Sequence, residues 1–277
     1  MSFMRREYYE RWKLSIGIAI FLILSNQFAF GQGYELKTAR EAILLSAGAA
    51  GTTTSILLRN KRQPSTLEDL GELNLEDVFA IDQLSAGSYR KGAQVTSDIL
   101  LHTSYALPLT LLAFEEGRAD AGTIGLILLE TIAINETITG ITKAMVRRPR
   151  PYTYNQDAPE AVRTSRGNTF SFFSGHTSYT AALSFFTAKT ISDYSEQSNV
   201  RTLAWAGAFL WPAATGYFRY RAGKHFPSDV FVGYVVGASL GYLIPHLHKT
   251  DKTGEAPGAT AVQLPMVQPL FKVAFVL

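Results

Sequence analysis

The chain has 277 residues, enough for one domain with a sizeable core, and no internal repeat or long Gly/Ser or Pro-rich linker divides it. It has no cysteine, which excludes disulfides and thiolate metal sites. A formal charge of +3, with the basic residues scattered rather than gathered into a tract, argues against a nucleic-acid partner.

Residues 1–31 read as a targeting segment. Arg5, Arg6, Arg11 and Lys13 precede an uncharged run over 14–31, and Ala29-Phe30-Gly31 has the small-x-small pattern of a signal-peptidase site. The segment is either a signal peptide or an N-terminal anchor, and either one sends the chain to the cell envelope. Residues 32–97 form an N-terminal helical region. It holds an apolar stretch over 42–58, then a charged, mixed part suited to short amphipathic helices over the bundle or along a membrane surface.

Further apolar stretches run over 99–114, 121–142, 178–191, 202–218 and 230–245. They are rich in Ala, Leu, Ile and Gly without strict alternation, which favours helix over strand. The expectation is an all-α bundle of about six core helices, its catalytic part spanning 98–248, embedded in or associated with a membrane. Mean hydropathy is only +0.05. Several stretches fall short of the ~20 residues of a span, and Glu130, Glu136 and Lys189 are costly in lipid unless they face an interior site. Gly233, Gly237 and Gly241 line one face of the last helix, where another helix can approach. Residues 249–277 form a C-terminal tail, with a partly alternating, strand-like stretch over 261–277.

Three clusters at helix ends carry chemistry. Lys143 and Arg150-Pro151 follow the third stretch, Ser174-Gly175-His176 precede the fourth, and Arg219, His225 and Asp229 lie between the fifth and sixth. Together they supply three cations, two imidazoles, one carboxylate and a small-residue turn, an inventory suited to phosphoryl transfer. Arg150 and Arg219 can grip equatorial phosphate oxygens while Lys143 adds a point charge. Ser174 and Gly175 open a helix whose free N–H groups favour an anion. His225 can attack phosphorus with its other nitrogen held by Asp229, one turn later. His176 can then protonate the leaving group and activate water. No metal or other cofactor is needed, and the sequence offers no acidic cluster for one.

These residues match the three-part pattern K-x6-RP, PSGH, SR-x5-H-x3-D, and so the chain resembles the type 2 phosphatidic acid phosphatase and vanadium haloperoxidase superfamily over 121–245. The resemblance implies that family's helical bundle, with Lys143, Arg150, Ser174, Gly175 and Arg219 binding phosphate. It further implies His225 as nucleophile, Asp229 as its orienting partner and His176 as acid/base. Phe173 stands where the family has proline and Phe218 where it has serine, and Arg148 makes a second Arg-Pro pair off the six-residue spacing.

The expected activity is hydrolysis of phosphate monoesters through a phosphohistidine. Tyr152, Tyr154, Arg163, Arg166, Phe170, Phe172 and Phe173 lie between the first two clusters, as an aromatic, basic rim or an ordinary loop. Such a rim beside apolar helices favours a lipid phosphate: phosphatidate, phosphatidylglycerophosphate, a polyprenyl pyrophosphate or a lipid A type. A broad-specificity periplasmic acid phosphatase and a vanadium-dependent haloperoxidase are the alternatives. The expected place is the inner membrane with the site facing the periplasm, or the periplasm itself; the outward face holds if the 42–58 stretch does not span.

Overall fold

The structure, a computed structural model, describes residues 33–250; the targeting segment and the strand-like stretch over 261–277 lie outside the described residues. Six long helices make the fold: α1 (Thr38–Asn60), α2 (Lys91–Ser104), α3 (Ala121–Val146), α4 (Gly175–Tyr194), α5 (Ser198–Arg221) and α6 (Pro227–His248). No strand occurs among the described residues, beyond a single bridge between Tyr34 and Lys249 that ties the first described residues to the end of α6.

Most helices outrun the apolar stretches that announce them, because their last turns are polar and reach the functional end of the bundle. The 99–114 stretch departs from one helix: α2 begins eight residues earlier, and a 3-10 turn, Leu107–Ala113, follows it with Pro108 near its start. Proline fits the first turn of a helix because its missing N–H has no partner there in any case. Short helices at Leu67–Gly71 and Ala80–Gln83 fill the charged region as expected, the first closed by a Thr66/Asp69 capping box.

α4 is the central helix. Most of it is buried, and it packs against both α5 and α6. Its contact with α6 depends on the glycine stripe: a Cβ at Gly233, Gly237 or Gly241 would strike the backbone oxygen of Ser174, Ser178 or Ala182 in turn. The stripe is therefore a packing surface, and it seats the start of α6 against the start of α4. α1 runs parallel to α3, with Gly48 against Ala133, Gly51 against Thr137 and Ser55 against Gly140. It is a member of the bundle rather than part of a separate N-terminal unit.

Three helices, α1, α3 and α6, are long and apolar enough to cross a bilayer. Large apolar side chains lie outward on them and on α5, among them Ile43, Phe231, Leu203 and Leu210. Such a surface suits lipid rather than water, and the chain is a membrane protein. The charges within the apolar stretches turn inward. Glu130 is fully buried, Glu136 meets Arg59 at 2.5 Å and Tyr179 Oη at 2.7 Å, and Lys189 pairs with Asp193.

A Gly237→Ala substitution is expected to lower stability by about 1–3 kcal/mol through overpacking. Gly125→Ala is the control: no atom lies within 4 Å of its added Cβ, and helix propensity there favours alanine by about 1 kcal/mol. Thermal unfolding in detergent reads both, and equal behaviour of the two variants would contradict the close α4–α6 contact.

Candidate active site

The C-terminal ends of α3 and α5 and the N-terminal ends of α4 and α6 meet at one end of the bundle. Lys143 lies in the last turn of α3, and Arg147, with φ of 55°, caps that helix in the left-handed region and turns the chain toward Arg150. Lys143 Nζ donates to the carbonyls of Phe170 (3.0 Å) and Phe173 (2.5 Å). Phe173, in the position the family gives to proline, is itself buried. Arg150 donates through Nε to Gly167 O at 2.9 Å and through Nη2 to Phe170 O at 3.4 Å. The loop after α3 thus folds its carbonyls onto two of the three expected cations.

Arg219, 4% exposed, reaches the pocket from α5. Its Nη1 donates to Ser97 Oγ (3.2 Å) and Asp98 Oδ1 (3.0 Å), and its buried Nε has no acceptor among the described residues. An orphaned guanidinium donor beside two further cations is a vacancy for an anion's oxygen.

His225 is 1% exposed. Its Nδ1 lies 2.7 Å from the Ser171 carbonyl, which can only accept, so the proton sits on Nδ1 and the Nε2 lone pair is free. Burial, then the charges of Lys143, Arg150 and Arg219, hold its pKa well below the usual imidazole range. Lys224, beside it in sequence, is pushed down to about 8 by burial and by Arg150 and Arg219, and its Nζ lies over the Tyr152 ring. It is a fourth basic group at the site, which the three-part motif does not include.

The orientation of His225 differs from expectation. Asp229 Oδ2 stands 3.8 Å from its Nδ1, beyond hydrogen-bond reach, and the Ser171 carbonyl has taken that place. Asp229 instead accepts from Ser171 Oγ (2.5 Å), Phe226 N (2.9 Å) and Arg148 Nη1 (2.7 Å), while its own carbonyl accepts from Ser174 N at 3.0 Å. It holds the residues that hold His225. Arg148, the off-spacing arginine, bridges Asp229 to buried Asp82 at 2.7 Å each and stacks on Phe226. It is occupied by this scaffold rather than offered to phosphate.

Ser174 caps α4, its hydroxyl 2.8 Å from Thr177 Oγ1, and its N–H is given to the Asp229 carbonyl. Gly175 lies along Lys143, and a Cβ there would make only ordinary contacts, 3.4 Å to Thr139 and 3.6 Å to Lys143. Crowding by the protein therefore does not require glycine at this position.

His176 stands at the more open side, with 27% of its side chain exposed, and its Nε2 is 2.9 Å from Asp98 Oδ1. Burial first, then Arg219, lower its pKa to about 3, with Asp98 pulling the other way. Lys143, Arg219 and His225 are thus buried and Arg150 half-buried, while His176 and Asp98 stand on the more open side. Asp98 was not legible in the sequence: it comes from α2, outside the three clusters, and only the crossing of α2 over α5 brings it to Arg219. Of the aromatic residues in the loop over 151–173, Tyr152 and Phe173 are 2% exposed, while Tyr154, Phe170 and Phe172 are half-buried. Tyr154 and Arg163 line a cavity of about 550 Å³ with Leu67, Leu70, Leu73 and Leu75 beside the site.

Residues 124–252 match the family model described as the PAP2 superfamily. No curated protein matches the chain. The crystal structure of a transmembrane PAP2-type phosphatidylglycerolphosphate phosphatase from Bacillus subtilis is similar over 76% of this chain and 92% of its own, at 21% identity and a TM-score of 0.41, too distant to bear on function. The family model takes in all three clusters of the pocket, from α3 through α6, and over those residues the chain is similar to the PAP2 superfamily.

Proposed function

We propose that the chain hydrolyses the phosphate monoester of a membrane lipid, with His225 Nε2 attacking phosphorus to give a phosphohistidine. The observation that carries this reading is the tautomer lock: the Ser171 carbonyl fixes the proton on Nδ1 and leaves Nε2 as a lone pair among buried cations. Lys143, Arg150 and Arg219 neutralise the transferring group and cost no reorganisation at the moment of reaction. The P–O bond to the leaving alkoxide breaks as the N–P bond forms, and His176, on the more open side, relays the ester monoanion's own proton to the alkoxide. The same imidazole then takes a proton from water, which attacks the phosphohistidine and releases phosphate. The apolar helices around the pocket support a substrate with an acyl or prenyl tail.

The expected result is phosphate release from phosphatidate or phosphatidylglycerophosphate in mixed micelles at higher kcat/KM than from a short-chain soluble ester. His225→Ala should lower it by about 10³-fold or more, with no acid-labile phosphoenzyme on rapid quench. Full activity in that variant would refute the mechanism, and a preference for soluble esters would refute the lipid assignment.

Both imidazoles are neutral in the free enzyme near neutrality, so the leaving group's proton must arrive with the ester monoanion, whose second pKa is about 6. kcat/KM is therefore expected to fall about tenfold per pH unit above that pKa. Asp98→Asn removes the carboxylate that favours a charged His176. It should slow an alkyl phosphate about tenfold and p-nitrophenyl phosphate little, because that leaving group needs no proton. Equal losses on both esters would give Asp98 a purely structural role.

We propose the periplasmic face for the pocket. That face, reached by export of the chain start, holds if α1, long and apolar enough to cross, lies against α3 without spanning the bilayer. A single cysteine introduced at exposed Glu160 in this cysteine-free chain tests it. Labelling of intact spheroplasts by an impermeant maleimide is expected, and labelling only after lysis would move the pocket to the cytoplasm.

A further inference from the structure

At the end of the bundle opposite the pocket lies a second polar cluster that the phosphatase chemistry does not use. Glu41 comes from the first turn of α1, Glu130 from α3 and His248 from the last residue of α6. Asp229 and His248 stand at opposite ends of α6, about 28 Å apart at 1.5 Å per residue. The three ligating side chains are buried, Glu130 and His248 completely. No acidic run marks the cluster in the sequence; folding assembles it from positions 41, 130 and 248.

The hydrogen bonding is incomplete in a particular way. His248 Nδ1 donates to the Ile244 carbonyl at 2.7 Å, so the neutral ring presents its Nε2 lone pair. That lone pair faces two carboxylate oxygens, Glu41 Oε2 at 2.9 Å and Glu130 Oε2 at 3.1 Å. If Nε2 were protonated, its N–H would point one way, and Glu41 lies in that direction. Glu130 then remains without a hydrogen-bond partner on either oxygen among the described residues, although none of it reaches solvent. Glu41 is well served by comparison, accepting from Lys37 N at 2.6 Å and Arg40 Nη2 at 2.8 Å. Arg40 also donates to the Leu247 carbonyl at 2.6 Å and to the Glu35 carbonyl, which fixes Glu41 against the end of α6.

We propose that Glu41, Glu130 and His248 bind a divalent transition-metal ion, one ligand from each of the three helices long enough to cross the bilayer. Ligand atoms about 2.1 Å from a metal ion stand about 3.0 Å apart when they subtend a right angle there, close to the two observed separations. One imidazole with two carboxylates suits Zn²⁺, Mn²⁺ or Fe²⁺ better than Ca²⁺, which takes six to eight oxygens. Two carboxylates neutralise the ion, and the Ile244 carbonyl supplies the outer hydrogen bond that orients a ligating histidine. The ion fastens α1 to α3 and α6 at the end where the backbone of Glu35 also meets His248, and takes no part in the chemistry at the far end.

The test is metal content and metal-dependent stability of the full chain in detergent. Elemental analysis of purified protein should find about one equivalent of Zn²⁺ or Mn²⁺ per chain. The same content is expected in His225→Ala, so that loss of phosphatase activity and loss of the ion are separate outcomes. Glu130→Gln should lose the ion. Adding Zn²⁺ or Mn²⁺ to stripped wild type should raise its unfolding midpoint by several degrees, with no such rise in Glu130→Gln. Should that variant fail to fold, Co²⁺ added to stripped wild type gives a second reading, through the visible absorption of a bound ion. Wild type that carries no metal, shows no Co²⁺ spectrum and gains no stability from added ions overturns the proposal and leaves a proton shared between Glu130 and His248 as the link.

Discussion

Lys143 and Arg219 are buried and Arg150 half-buried around the imidazole of His225, and like charges held in a low dielectric repel one another and lose hydration. The fold meets that cost mainly with backbone. Carbonyls of Gly167, Phe170 and Phe173 accept from Lys143 and Arg150, and Asp98 accepts from Arg219. Carbonyl dipoles stabilise a cation without cancelling its charge, so the pocket stays positive and remains complementary to a dianion. Much of the rest of the active-site end exists to hold the 167–173 loop where those carbonyls are needed.

Asp229 is the centre of that support. Its carboxylate gathers Ser171, Phe226 and Arg148, its carbonyl takes the Ser174 amide, and Arg148 carries the network on to Asp82. Through Ser171 the network sets the tautomer of His225 at one remove. A carbonyl acceptor, unlike a carboxylate, adds no full negative charge beside the ring. The imidazole is therefore oriented without being made easier to protonate, as suits a nucleophile that must stay neutral among cations. The glycine stripe belongs to the same design, since it brings the start of α6 close enough to α4 for the Ser174–Asp229 backbone bond to form.

The two ends of the bundle use ionisable groups in opposite ways. At the catalytic end an excess of positive charge is left for a substrate to neutralise. At the other end, two carboxylates meet one histidine and one arginine, and Glu130 has no hydrogen-bond donor among the described residues. Both are arrangements that a buried site tolerates only when something further completes the charge or the hydrogen bonding. The apolar flanks between them face outward and suit lipid.

Most helix positions, the bundle class and the three polar clusters at helix ends were legible in the sequence, for a local reason. Apolar runs set helices, and motif residues a few positions apart keep their spacing wherever the helix ends lie. Contacts between residues far apart in the chain were not. Asp98 lies 78 residues from His176 and 121 from Arg219; Glu41 lies 207 from His248; and the Ser171 carbonyl, which displaces Asp229 from His225, is a backbone atom that no residue pattern encodes. The sequence by itself determined which groups are available and roughly where along the helices they stand. Only the tertiary structure decided which of them meet, because side-chain chemistry is written locally, whereas the crossing of helices depends on how whole faces pack.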